Sequence, residues 1–202
     1  VASATLLPAA GRAMRPARYT DVAIVLHWLI AICILLQIAM GLAMVNLTLP
    51  LAQKFYLFQL HKSVGITVLG LVLLRIVWRL AHSPPPLPDA MPEWERRAAG
   101  GTHHTLYAFM LLLPLTGWAV VSASPRNIPT VLYGIVPWPH LPILSTLTDK
   151  KPVEAVLQVI HSYGGFLLIA ILVLHIGAAL RHGLLLRDGV LSRMLPWGER
   201  SA

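Results

Sequence analysis

The stretch VEAVLQVIHSYGGFLLIAILVLHIGAALRHGLLL, residues 153–186, places two histidines, His161 and His175, inside a long apolar run. Between Glu154 and Arg181 the run carries no formally charged residue, which predicts a helix able to cross a membrane. The fourteen-residue spacing of the histidines is almost four helical turns, so both imidazoles fall on one face, about 21 Å apart along the axis. That is about two thirds of a bilayer's hydrocarbon core. Ionisable groups within a span are costly and mark function, and two on one face call for two partners from elsewhere in the bundle. His27 and His61 are the partners the chain offers.

The rest of the composition agrees with a membrane setting. Of 202 residues 56% are hydrophobic and only 12% charged, with a mean hydropathy of +0.70, which excludes an ordinary soluble domain. The expected fold class is all-α, an integral membrane four-helix bundle with spans near Val22 to Val45, Phe58 to Leu80, His103 to Ala123 and Glu154 to Leu180. Proline-bearing connections, Ala81 to Gly101 with Ser83-Pro84-Pro85-Pro86 and Ser124 to Pro152, belong outside the hydrocarbon. No internal repeat or separable soluble domain is evident. The expected layout is a disordered tail over 1–17, low in complexity from Val1 to Ala13, one transmembrane domain over 18–196 and a short tail over 197–202. The first apolar run, preceded by Arg12, Arg15 and Arg18, is longer than a secretory signal needs and is read as a retained span.

Lys and Arg set the expected orientation. Arg12, Arg15, Arg18, Arg79, Arg96, Arg97, Arg181, Arg187, Arg193 and Arg200 fall on one side; Lys54, Lys62, Arg126, Lys150 and Lys151 fall on the other. The richer side is cytoplasmic by the positive-inside rule, which puts both termini in the cytoplasm with an even number of spans. The net charge of +8 then reports topology and contact with anionic membrane lipid, and nucleic-acid binding is not expected.

With this threading, His27 and His175 share the cytoplasmic depth and His61 and His161 share the periplasmic depth. Two pairs at two depths are what two haem b groups stacked across a bilayer require, each iron taking two axial imidazoles. The lone Cys33 excludes a Cys-x-x-Cys-His attachment, so such haems are non-covalent. A haem-free bundle, with histidines as internal hydrogen-bonding groups, is the competing reading. A zinc site would need its ligands clustered, which the fourteen-residue spacing opposes.

Arg75 and Arg79 lie i, i+4 near the cytoplasmic end of the second span. Arg79 suits snorkelling to headgroups, and the deeper Arg75 suits a haem propionate. His103 is placed to touch a propionate or a quinone carbonyl, or else to lie solvated at the interface. His182, seven residues beyond His175, is a candidate for quinone binding or proton transfer. His82, His104 and His140 receive no role, and the tryptophans fit an interfacial belt.

The elements Arg18-Tyr19, Leu26-His27-Trp28, His61-Lys62-Ser63-Val64-Gly65, Arg75 with Trp78-Arg79, His103 with Leu106-Tyr107, Leu113-Pro114-Leu115-Thr116-Gly117-Trp118, His161 and His175 together resemble the bacterial cytochrome b561 family, over about Arg18 to Pro196. The chain is most similar to its short, four-helix, stand-alone members, including the superoxide oxidase type. The resemblance implies a periplasm-side haem iron held by His61 and His161, a cytoplasm-side haem iron held by His27 and His175, and ubiquinone near the latter, with His103 and His182 as contacts.

The function it implies is oxidation of periplasmic superoxide to O2 and reduction of ubiquinone to ubiquinol, a superoxide:ubiquinone oxidoreductase. Lys150 and Lys151 either help draw the superoxide anion to the outer face or are simply solvated loop charges. The alternative is a cytochrome b subunit that passes electrons from a partner hydrogenase or dehydrogenase, through a periplasmic redox partner protein, to quinone.

Overall fold

A computed structural model describes residues 18–197. The tails assigned to 1–17 and 198–202, with Arg12, Arg15 and Arg200, lie outside the described residues.

Four long helices carry the fold: α1 (Asp21–Asn46), α2 (Leu51–Ala81), α3 (Glu93–Ser122) and, after a two-stranded hairpin β1 (Thr130–Leu132) and β2 (Val136–Trp138) and a single turn α4 (Pro142–Ser145), α5 (Lys151–Leu180). All four long helices are long and apolar enough to cross a membrane. α5 continues through a π-helical turn at Arg181–Leu186, and a 3-10 turn follows at Ser192–Met194.

Helix starts are written in local chemistry. Thr20 caps α1 by accepting the Ala23 N–H at 3.3 Å, and Asp21 sits in the first turn where the helix dipole favours a negative charge. α2 and α3 begin after Pro50 and Pro92, both in extended backbone. These starts lie earlier than the apolar runs alone place them, seven residues before Phe58 and ten before His103. The first turns carry polar groups, Gln53 and Lys54 in α2 and Glu93, Glu95 and Arg96 in α3. Their hydrogen bonds form whether or not hydrocarbon surrounds them, so hydropathy shortens the predicted helix. His61 and His103 therefore lie three turns inside their helices instead of opening them, and Glu93 to Gly101 is helix instead of connection. Pro114 sits within α3, inside the span expected from His103 to Ala123.

α1 packs on α2, α2 on α3, and α3 on α5. The shared core is a band of branched and long aliphatics: Ile30, Ile34 and Met40 from α1, Val64, Val68 and Val72 from α2, Leu106 from α3 and Leu168 from α5. Outward faces such as Val25, Leu29, Ile32 and Leu36 remain exposed, as suits contact with lipid chains. Leu168 is the one buried residue of α5, and the face of α5 toward α1 and α2 carries imidazoles where an ordinary bundle would carry interlocked aliphatics.

Each end of the bundle is closed differently. At the end where the first and last described residues meet, the terminal end, Arg18 pairs with Asp21 at 2.9 Å and donates to the carbonyls of Leu195 and Pro196. Trp28 Nε1 donates to Met194 O and Arg193 Nη1 to Pro86 O, tying the last turns to α1 and to the proline connection. At the opposite, hairpin end, the Tyr133 N–H donates to Ser63 Oγ at 3.0 Å, and Gln59 and Lys62 donate to Pro129 O. Tyr133 (φ 52) and Gly134 (φ 73) make the left-handed bend between the two strands.

Candidate functional site

His61 and His161 each lie ten residues into helices that start at the hairpin end, so they share a depth. Their ring centres are 6.2 Å apart with planes at 83°. His27 lies six residues into α1 and His175 five before the end of α5, both toward the terminal end, with ring centres 6.3 Å apart and planes at 69°. Two metal–imidazole bonds of about 2 Å, plus roughly 1.2 Å from each ring centre to its nitrogen, total about 6.4 Å. Both pairs are therefore spaced to hold one metal ion between two imidazoles.

Among the described residues no group of three or more His, Cys, Asp or Glu side chains is arranged to hold a metal ion. Two protein donors per site suit an iron whose other ligands come from a flat macrocycle.

The hairpin-end pair has a defined ligand polarity on one side. Thr116 Oγ1 donates its only proton to Leu113 O at 2.9 Å, so toward His161 Nδ1, 3.0 Å away, it accepts. His161 then carries its proton on Nδ1 and presents the Nε2 lone pair, the arrangement that orients metal-bound histidines. Gly117, on the next residue, stands against the same ring; an added Cβ would lie 3.0 Å from His161 Cε1. His61 Nδ1 is buried without a hydrogen-bond partner. Gln37 of α1 donates to His61 O at 3.0 Å, and Gly65 leaves room for that amide.

At the terminal-end pair, His103 of α3 joins the cluster, its ring 5.5 Å from that of His175. Arg75 donates through Nη1 to Ala23 O at 2.5 Å and through Nε to Tyr107 OH at 3.1 Å, linking α1, α2 and α3 beside His27. Arg79 lies over the Tyr107 ring at 5.7 Å. A cleft opens next to both arginines, walled by Tyr19, Trp78, Pro84 and Tyr107.

The other predicted residues fall outside these two pairs. His182 sits on the π turn, 2.5 Å from Asp188 and 3.7 Å from Glu95. Lys150 donates to Asn127 Oδ1 at 2.6 Å immediately before α5, and Lys151 is exposed at its first position. His140, to which no role was given, lies at the hairpin end with Nε2 buried and unpartnered; burial, aided by the charges of Lys62 and Lys150, holds its pKa below the ordinary imidazole value. His82 stacks on Trp78, ring centres 4.0 Å apart. Sequence reasoning missed Thr116 as a partner of His161 and Glu95 and Asp188 as partners of His182. The Thr116-Gly117 pair within the quoted motif was the available signal for the first.

Comparison with known proteins places this geometry. The model of prokaryotic cytochrome b561 matches residues 18–197. Cytochrome b561 homolog 2 of Escherichia coli (strain K12) is 30% identical over 181 residues, 89% of this chain and 92% of the relative. Cytochrome b561 homolog 1 of the same organism is 29% identical over 187 residues, 89% and 97% respectively. A protein of Yersinia pestis named probable superoxide oxidase CybB is 28% identical over 181 residues, 89% and 96% respectively. Four apolar helices that bring histidines together in two pairs, matched by a family model over nearly the whole chain, mean that the protein belongs to the prokaryotic cytochrome b561 family of haem b membrane cytochromes that transfer electrons.

Proposed function

We propose that the chain is a di-haem superoxide:ubiquinone oxidoreductase, with one haem b between His61 and His161 and a second between His27 and His175. The observation that carries this reading is the facing of two imidazole pairs, at 6.2 and 6.3 Å, at two depths along α5. When bound, the haems supply one-electron carriers in series across the membrane. The terminal end lies in the cytoplasm, because Arg18, Arg79, Arg96, Arg97, Arg181, Arg187 and Arg193 gather there.

At the hairpin end, Lys62, Lys150 and Lys151 give a positive field that favours the approach of a small anion. Superoxide is such an anion, and the Yersinia pestis relative's name supports it as donor. At the terminal end, Arg75, Tyr107 and His103 surround the second pair and offer donors to a quinone carbonyl.

A docked electron-donating protein is the second reading. Ile135 and Ile143 are 79% and 82% exposed at the hairpin end, an apolar surface that a partner would cover.

The deciding experiment exposes the purified chain to enzymatically generated superoxide, with and without superoxide dismutase, and then adds ubiquinone. Dismutase-sensitive growth of a b-type α-band, reversed by quinone, supports the oxidoreductase. An α-band that appears only with dithionite rejects superoxide as donor and favours the partner protein.

A further inference from the structure

Outside the paired histidines, one cluster of titratable side chains joins three segments at the terminal end. His182 Nδ1 lies 2.5 Å from Asp188 Oδ2, and His182 Nε2 lies 3.7 Å from Glu95 Oε2. Arg181 Nη1 holds the other Glu95 oxygen at 3.1 Å. The His182 and Glu95 side chains are each 11% exposed, whereas that of Asp188 is 24% exposed.

The backbone after α5 is shaped to make this contact. The π turn at Arg181–Leu186 ends in left-handed Arg187 (φ 51), and Gly189 (φ 81) reverses the chain. The Val190 N–H donates to Asp188 Oδ1 at 3.1 Å, which holds the carboxylate toward His182. At Gly183 an added Cβ would collide with the Leu191 side chain, so the glycine lets the returning loop close. Burial alone would raise the Asp188 carboxyl, but its hydrogen bonds with His182 and Val190 outweigh it and hold the pKa below the ordinary value.

The cluster sits at the ends of the same two helices that carry His103 and His175, nearer the terminal end. Glu95 precedes His103 by eight residues on α3, His182 on the π turn follows His175 of α5 by seven, and α3 and α5 run antiparallel and packed. Small residues, Ala99 and Ala179, occupy the intervening turn of each. The Asp188, His182 and Glu95 cluster thus lies at the terminal end of the α3–α5 contact, about two turns from the His103 and His175 rings.

We propose that Asp188, His182 and Glu95 form a proton-entry relay that feeds the terminal-end site. The proposal rests on the reading that ubiquinone is reduced there. Reduction of one quinone to quinol takes two electrons and two protons; the electrons come from two superoxide anions, each leaving as O2, and the protons come from the cytoplasm. An imidazole can accept a proton at Nδ1 on the Asp188 side and release another from Nε2 on the Glu95 side. From Glu95 to His103 is about 12 Å along the helix, too long for one transfer, so the relay requires bridging water in the Ala99 and Ala179 turn. His182 is then a proton carrier and not a quinone contact.

The test uses the full chain reconstituted in vesicles, reduced with dithionite, freed of excess reductant and mixed with a short-chain ubiquinone. His182→Gln and Glu95→Gln should keep the haem content and reduced spectrum of the parent, yet slow reoxidation at least tenfold at pH 7.5. The slowing should deepen as pH rises, and added imidazole should restore much of the rate in His182→Gln. In the resting, oxidised protein, the 13C signal of the His182 ring should move in both Asp188→Asn and Glu95→Gln, independent of turnover. Parent-like reoxidation overturns the relay. So does slowing that is equal at all pH values and insensitive to imidazole, which marks a purely structural clasp. A parent that quinone does not reoxidise overturns the quinone reading itself, and the relay with it.

Discussion

Thr116 sets the proton position of His161. Because its hydroxyl is committed to Leu113 O, Thr116 Oγ1 can only accept from His161 Nδ1, 3.0 Å away, and Nε2 is left with its lone pair free. The threonine that turns back on its own helix carbonyl, next to Pro114, thereby also orients a group on a different helix. On the proposed di-haem reading, Thr116→Val should keep the haem content but shift the midpoint potential of the haem at the hairpin end, and Thr116→Ser should restore it. A potentiometric titration followed at the α-band checks both; an unchanged potential in the valine variant refutes the role.

The pairing itself predicts selective loss. His61→Ala or His161→Ala should remove one haem, halving haem per chain, and leave the other spectrum intact. His27→Ala or His175→Ala should remove the complementary component. Haem extraction and low-temperature difference spectra measure this, and identical residual spectra from the two sets would contradict the pairing.

Two glycines beside these rings should behave differently. A Cβ at position 117 would lie 3.0 Å from His161 Cε1, closer than atoms normally pack, so Gly117→Ala forces the ring to move by a few tenths of an ångström. At position 41 the corresponding distance to His61 Cε1 is 3.8 Å, ordinary contact. Gly117→Ala should broaden or shift the hairpin-end haem's α-band, whereas Gly41→Ala should leave it alone.

Arg75 ties three helices through two hydrogen bonds from a charged donor. Arg75→Leu leaves Ala23 O and Tyr107 OH without those donors, and the expected loss is about 1.5–3 kcal/mol for each such bond. Arg75→Lys keeps the charge but cannot reach both acceptors with a planar fork, so it should fall between. Thermal unfolding in detergent, followed at the Soret band, ranks the three.

His140 makes the hairpin end sensitive to acid. Its pKa lies below the ordinary value because of burial first and then the charges of Lys62 and Lys150, so the unfolded chain binds a proton more readily than the folded one. The stability this neutral ring contributes is complete above the ordinary imidazole pKa and is lost as pH falls through the lowered one. Hydrogen exchange over residues 130–141 should rise between pH 7 and 5, and His140→Gln should flatten that rise.

The readable parts of this protein are those set within a single segment. Hydropathy located all four spans, and the fourteen residues between His161 and His175 placed two imidazoles on one face whatever the neighbours do, since the helical repeat is maintained by hydrogen bonds inside one chain segment. The approach of His61 to His161 and of His27 to His175 was inferred from depth; in the structure the ring centres stand 6.2 and 6.3 Å apart. Hydropathy placed the starts of α2 and α3 too late, because apolar length measures hydrocarbon thickness while the backbone ladder runs on beyond it. Thr116 against His161, His103 against His175 and Glu95 against His182 could not be read from spacing: each joins residues of two segments, and whether they meet depends on how α3 and α5 are rotated and how the chain turns at Arg187 and Gly189. Rotation about a helix axis leaves the local pattern unchanged but alters every contact between helices, so those relationships exist only once the bundle has packed.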